Sequence, residues 1–176
     1  WRDPPHPFVQ QCLPTAVAFK LFHSAAQGAL LAVFAHHVVQ GRVIFPGAGY
    51  LELARAAAPV HAALRGVFVL QPRAVESQGL LIECAVDDGR FEVRSADGAM
   101  ADATVHCAGA TAGSGEWQRI SHAALRAPLC AVDVKALYGG FDAAGLQYGP
   151  AYRTLVQAWG GASTATARLR ARAAPE

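Results

Sequence analysis

His37-Val38-Val39-Gln40-Gly41-Arg42-Val43-Ile44-Phe45-Pro46-Gly47-Ala48-Gly49-Tyr50-Leu51-Glu52-Leu53-Ala54-Arg55-Ala56-Ala57-Ala58 is the stretch that decides the fold of this 176-residue chain. Pro46 stands where a helix begins, because a first-turn position needs no amide donor. From Tyr50 to Ala58 the residues are strong helix formers, and only Glu52 and Arg55 are charged, three apart and so on one face. The remainder is apolar, which predicts a nearly enclosed helix ended by Pro59.

An antiparallel sheet is predicted around that helix. Ile82, Cys84 and Val86 alternate with Glu83 and Ala85, Asp88-Gly89 supplies a tight turn, and Phe91 and Val93 alternate with Glu92 and Arg94. A second turn at Asp97-Gly98 leads to Ala101, Ala103, Val105 and Cys107 on an inward face, with Asp102, Thr104 and His106 opposite. Upstream, Val17, Phe19 and Leu21 alternate as a strand does. Gly109 to Gly115 has the small, polar composition of a linker. Asp133 is placed to cap a short helix through Leu137 and Tyr138, which Gly139-Gly140 weakens. Tyr148-Gly149-Pro150-Ala151-Tyr152-Arg153 leads into a strand reaching Trp159, and Ala165, Ala167, Leu169 and Ala171 alternate as a last strand. One helix against an antiparallel sheet is an α+β chain.

Hydrophobic residues make up 53% and charged residues 16%, with a formal net charge of +2. No basic patch marks a nucleic-acid binder; Arg168, Arg170 and Arg172, at alternate positions, read as a solvated strand face. No apolar run approaches the roughly 20 residues that cross a bilayer, and Trp1-Arg2-Asp3-Pro4-Pro5 lacks signal-peptide features. Cys12, Cys84, Cys107 and Cys130 are widely spaced, without metal-ligand rhythm, and suit a reduced cytoplasmic protein. His23, His61, His106 and His122 are scattered singly and read as surface or structural; Glu83, Asp87, Asp88 and Glu92 read as a turn and its solvated face.

The chemistry concentrates at His37. Imidazole offers a base near neutral pH. Gly41, four residues on, lets the backbone turn or another chain approach closely. The helix opening at Gly47 presents unpaired amides and a partial positive charge, suited to a thioester carbonyl that gains negative charge as its α-proton leaves.

The segment from His37 to Glu52 resembles the HxxxGxxxxPG signature and following helix of modular polyketide synthase dehydratase domains. His6-Pro7 resembles the family's opening His-Pro, and Ala103-Thr104-Val105-His106-Cys107-Ala108 the closing strand of its first hotdog fold. Gly145-Leu146-Gln147-Tyr148-Gly149-Pro150-Ala151-Tyr152-Arg153 resembles the GxxYGPxFR segment that opens the second, and Ala167 to Glu176 the outer strand after it. The resemblance implies a double hotdog, with an amino-terminal hotdog at 1–112, a linker at 113–132 and the opening of a second hotdog at 133–176. It implies syn elimination of water from a β-hydroxyacyl group on the phosphopantetheine arm of an acyl carrier protein, with no metal and no further cofactor. His37 would take the α-proton, and Tyr148 would position substrate. Gly41, Pro46, Gly47, Gly149 and Pro150 would line it, Gly47 offering its amide to the carbonyl. The implied partners are the carrier, the rest of a synthase and a second copy in a homodimer.

Two positions depart from the family pattern. His36 stands where an aspartate usually precedes the histidine, and is read as outward-facing and not catalytic. The family's acid, an aspartate on the second hotdog's helix, has no match, since no aspartate or histidine follows Tyr148 and Asp142 precedes the motif. The expectation is that these residues supply the histidine half of a site. The alternatives are a non-catalytic pseudo-dehydratase or docking module and a product-template or cyclase-type domain. A stand-alone hotdog thioesterase is argued against by the long extension after Gly115.

Overall fold

The computed structural model describes residues 6–15, 19–59, 62–76, 79–113 and 119–171. Val17, His61, part of the expected linker and Arg172 lie outside them. In chain order the elements are β1 (Gln11–Leu13), β2 (Lys20–Ala25), α1 (Gly28–Phe34), β3 (His37–Val39), β4 (Arg42–Val43), α2 (Gly47–Ala57), β5 (Ala63–Val69), β6 (Leu80–Asp87), β7 (Arg90–Asp97) and β8 (Thr104–Ala112). Then follow α3 (His122–Arg126), β9 (Cys130–Val132), α4 (Val134–Ala143), β10 (Leu146–Tyr148), β11 (Leu155–Gly160) and β12 (Ala165–Leu169). Contacts divide these into two units: residues up to Ala35 with those from Val43 to 113, and His36–Arg42 with 119–171. Residues 36–42, which the sequence reading groups with 1–112, thus fold with the second.

In the first unit, α2 packs on β5, β6 and β7 of an antiparallel six-stranded sheet ordered β1-β2-β6-β7-β8-β5. Pro46 is the N-cap, with the extended backbone that a cap requires. The helix is half enclosed, not nearly enclosed. Gly49, Tyr50, Leu53, Ala54 and Ala57 are buried, whereas Leu51 is 39% exposed. The sheet covers one stripe at i, i+3 and i+4 spacing, and among the described residues nothing in this unit covers the other. Phe34, Phe45 and Tyr50 pack together at the helix start as tilted rings, with centroids 5.0 and 4.7 Å apart.

The meander is as the alternation predicts through β6 and β7, and then departs from it. Ala101 lies in a 3-10 turn (Met100–Asp102), not on a strand. A register shift follows, Val93 pairing with Cys107 but Arg94 with Val105. This bulge inserts His106 and turns it inward beside Cys107, where alternation puts it outside. The strand also runs through Gly109 to Ala112 because β5 and β7 pair with it on both sides, so a linker composition there is overridden by the ladder. Glu83 is likewise no solvated carboxylate. It is 2% exposed, its neighbours in register on β2 and β7 being His23, at 2.6 Å, and Arg94. Cross-strand pairing on both sides buries it with its countercharges. Cys84 and Cys107 are fully buried, and desolvation pushes the Cys84 thiol up to about 12 and raises that of Cys107; both act as small hydrophobes. Cys12 and Cys130 are exposed.

His106 is 2% exposed and fully partnered as a neutral ring. Its Nδ1 lies 3.2 Å from the Gln71 carbonyl oxygen, an obligate acceptor, so Nδ1 carries the proton and Nε2 accepts from Ser95 Oγ at 2.8 Å. The ring stacks on Tyr50 at 5.7 Å. Burial holds its pKa below the usual histidine value, the Gln71 bond opposing and the Arg73 charge assisting. The unfolded chain therefore binds this proton more readily. Stability is full above the unfolded pKa of about 6.5 and declines as pH falls through it. Urea midpoints for His106→Gln should fall less between about pH 7 and 5 than those of the native chain; parallel curves would contradict this.

The second unit holds two three-stranded sheets, β10-β3-β4 and β12-β11-β9, with α4 against β10 and β11. Asp133 caps α4, its Oδ1 accepting from Lys135 N at 2.8 Å and Ala136 N at 3.2 Å. The helix continues through Gly139-Gly140 instead of breaking, and Gly145 follows its end. A 3-10 turn (Pro150–Tyr152) separates the Tyr148 motif from β11. Arg168 and Arg170 are exposed, as expected of that face, and β12 ends at Leu169. No described residue of this unit is fully buried.

Candidate active site

The antiparallel pairing of β3 with β10 builds the site. Its register sets Val39 against Leu146, Val38 against Gln147 and His37 against Tyr148. Residues directly opposite in such a pair share one sheet face, and the His37 and Tyr148 ring centroids are 5.7 Å apart. The 3-10 turn after Tyr148 carries Tyr152 back, and its ring lies 5.4 Å from His37 and stacks on Tyr148 at 6.1 Å. His37 is therefore a half-buried imidazole beside two phenols.

Local sequence explains the placement. Gln40 (φ 49°) and Gly41 (φ 76°) both take left-handed backbone, the two-residue turn that closes a β3–β4 hairpin. The glycine four residues after His37 is thus a turn residue; its N–H donates to Gln147 Oε1 at 2.7 Å, and Gln40 N donates to the Gly145 carbonyl at 2.7 Å. Tyr138 fixes the other wall, its hydroxyl accepting from Leu155 N at 3.1 Å and donating to the Tyr152 carbonyl at 3.4 Å. Phe141 packs edge-on to Tyr148 at 5.8 Å, and Arg153 Nε donates to the Tyr148 carbonyl at 2.8 Å.

His36 is exposed, as read, yet anchors the motif. Its carbonyl accepts from Gly149 N at 2.8 Å and its Nδ1 from Ala151 N at 3.2 Å. A Cβ at Gly149 would sit 2.8 Å from the His36 side chain, so only glycine allows this approach. Gly149→Ala is expected to cost about 1–3 kcal/mol through overpacking against the His36 side chain. Calorimetry on that variant checks this; a native stability would remove the anchoring role.

The structure brings His37, Gly41, Tyr148, Gly149 and Pro150 together in the second unit. It places Pro46, buried, and Gly47, exposed, at the start of α2 in the first. Tyr152, Gln147 and His36 escaped the sequence reading as site residues. The signal for Tyr152 was an aromatic ring four residues beyond Tyr148, across a Gly-Pro reversal. Among the described residues no group of three or more His, Cys, Asp or Glu side chains is disposed to hold a metal.

A family model described as the polyketide synthase dehydratase domain matches residues 6–96, and one described as the polyketide synthase dehydratase N-terminal domain matches 119–176. The chain belongs to the polyketide synthase dehydratase family. It is 38% identical over 156 residues to the polyketide synthase ThaG of Burkholderia thailandensis, a match covering 77% of this chain and 3% of that protein. The dehydratase domain from the CurK module of curacin polyketide synthase superposes with TM-score 0.81 at 19% identity, over 95% of this chain and 64% of that one. The erythromycin dehydratase does so with TM-score 0.80 at 23% identity, over 99% and 69%. The fold of this dehydratase-family chain is accordingly the α+β hotdog that the sequence resemblance implies. Two CurK dehydratase structures, one with a histidine replaced by phenylalanine and one with an aspartate replaced by asparagine, are described as inactive mutants. Among the described residues no helix of this chain is long and apolar enough to cross a membrane.

Proposed function

We propose that this dehydratase-family chain supplies the base of a polyketide dehydratase in a cytoplasmic synthase. The substrate is a β-hydroxyacyl group on the phosphopantetheine arm of an acyl carrier protein. His37 removes the α-proton; the C–H electrons form the alkene as the β-C–O bond breaks, and the hydroxyl leaves as water with a proton from an acid. The Tyr148 hydroxyl, on the same sheet face, positions the substrate. The observation that carries this reading is the register that sets His37 against Tyr148 with Tyr152 beside both. That one CurK dehydratase variant lacking a histidine and another lacking an aspartate are each described as inactive supports a reading in which a histidine is needed. Residues 149–176 contain neither aspartate nor histidine, so the acid of this proposal is not drawn from them.

The test is mass spectrometry of a β-hydroxyacyl carrier protein incubated with the intact synthase. Loss of water from the acyl group is the expected result. The competing reading, a non-catalytic docking module, predicts an unchanged acyl mass.

A further inference from the structure

An open groove of about 690 Å³ lies on the second unit, between α4 and the β11–β12 strands. Its charged lining is Lys135, Arg153 and Arg170 against the single carboxylate of Asp142, and Tyr138 also lines it. The Arg153 guanidinium lies over the Tyr138 ring, 5.7 Å from its centroid, and uses Nε on the Tyr148 carbonyl. Arg170 donates one N–H to the Pro150 carbonyl at 3.4 Å. An arginine has five N–H donors, so both keep most of theirs for a ligand, and the groove is tied directly to the Tyr148-Gly149-Pro150 motif. Asp133 already occupies the first-turn amides of α4, which leaves side chains to hold any anion.

From Tyr138 a row of rings leads to His37: Tyr138 to Phe141 at 5.9 Å, Phe141 to Tyr148 at 5.8 Å, and Tyr148 to His37 at 5.7 Å. A ligand suited to this arrangement is elongated, anionic at one end, neutral along its length and reactive at the other. Resting on the dehydratase reading above, we infer that the groove binds the phosphodiester of the carrier's phosphopantetheine arm, with Lys135, Arg153 and Arg170 as its counter-ions. The groove volume falls within the ordinary range for small-molecule sites, about 300–1,000 Å³. Its charge complements a phosphodiester, and the aromatic row suits the uncharged pantetheine.

The test compares carrier protein with and without its arm. Binding of each to this chain is measured by calorimetry at low and physiological salt, for the native protein and for the double variant Lys135→Ala/Arg170→Ala. Arg153 is left intact because it also holds the Tyr148 carbonyl. The expected result is tighter binding of the arm-bearing carrier, weakened roughly tenfold in Kd by the double variant and by salt, with the armless carrier unaffected. Lys135→Glu/Arg170→Glu should weaken it further, and unchanged melting temperatures show that both variants fold. Equal weakening of both carriers would assign the groove to the carrier's surface and overturn the phosphodiester; no change in either would overturn the site. In the intact synthase, turnover of a short thioester lacking phosphate tests the dehydratase reading separately. If the native protein leaves that thioester unchanged, the reading fails, and the binding comparison still decides the groove.

Discussion

Replacing His37 with alanine in the intact synthase is expected to lower dehydration about 10²–10⁴-fold, the usual contribution of a positioned acid–base group. His37 is half-buried in a unit with no fully buried residue among those described, and its ring lies 5.7 and 5.4 Å from those of Tyr148 and Tyr152, outside the hydrophobic core. Its removal should therefore leave the melting temperature close to native. His36→Ala gives the opposite pattern, since it removes the acceptor for Ala151 N and loosens the Tyr148 turn without taking away the base. A native rate of water loss from His37→Ala would end the assignment of the base. A rate lost only together with the fold would show the ring to be structural.

Leu53→Ala should lower stability by about 2–5 kcal/mol, the cost of a cavity under a buried leucine, and lower the thermal midpoint by roughly 4–20 °C. Leu53 is fully buried on α2, one turn from Tyr50 and Ala57 and against the sheet. Leu51, two residues away and 39% exposed, should cost only about 1 kcal/mol when truncated, because part of its apolar surface is already in water and its removal leaves no closed cavity. The pair is diagnostic. A nearly enclosed helix, as composition alone suggests, would make the two substitutions similarly costly, whereas the one-sided packing makes them differ several-fold. Differential scanning calorimetry of the two variants decides between them.

Much of the fold was legible before any coordinates. The helix start at Pro46 rests on a local steric rule, the β6–β7 hairpin on alternation and an Asp-Gly turn, and the Asp133 cap on one side chain and two nearby amides. The family resemblance at His37 and Tyr148 was legible for the same reason, as short motifs with fixed spacing. Harder to read were the features set by what pairs across space. A one-residue bulge turned His106 from the outer face into a buried, neutral, doubly bonded ring, and pairing from β5 and β7 made a strand of the residues around Gly109.

The sequence by itself determined where the helix begins, which residues alternate in the main hairpin, and which histidine lies in a motif with chemistry. Only the tertiary structure decided that Glu83 is enclosed by His23 and Arg94, that one face of α2 stays open, and that Tyr152 and His36 join the site. The physical reason is range. Caps, turns and periodicity are fixed by residues a few positions apart, whereas burial and cross-strand register depend on segments far apart in the chain, whose meeting no local pattern encodes.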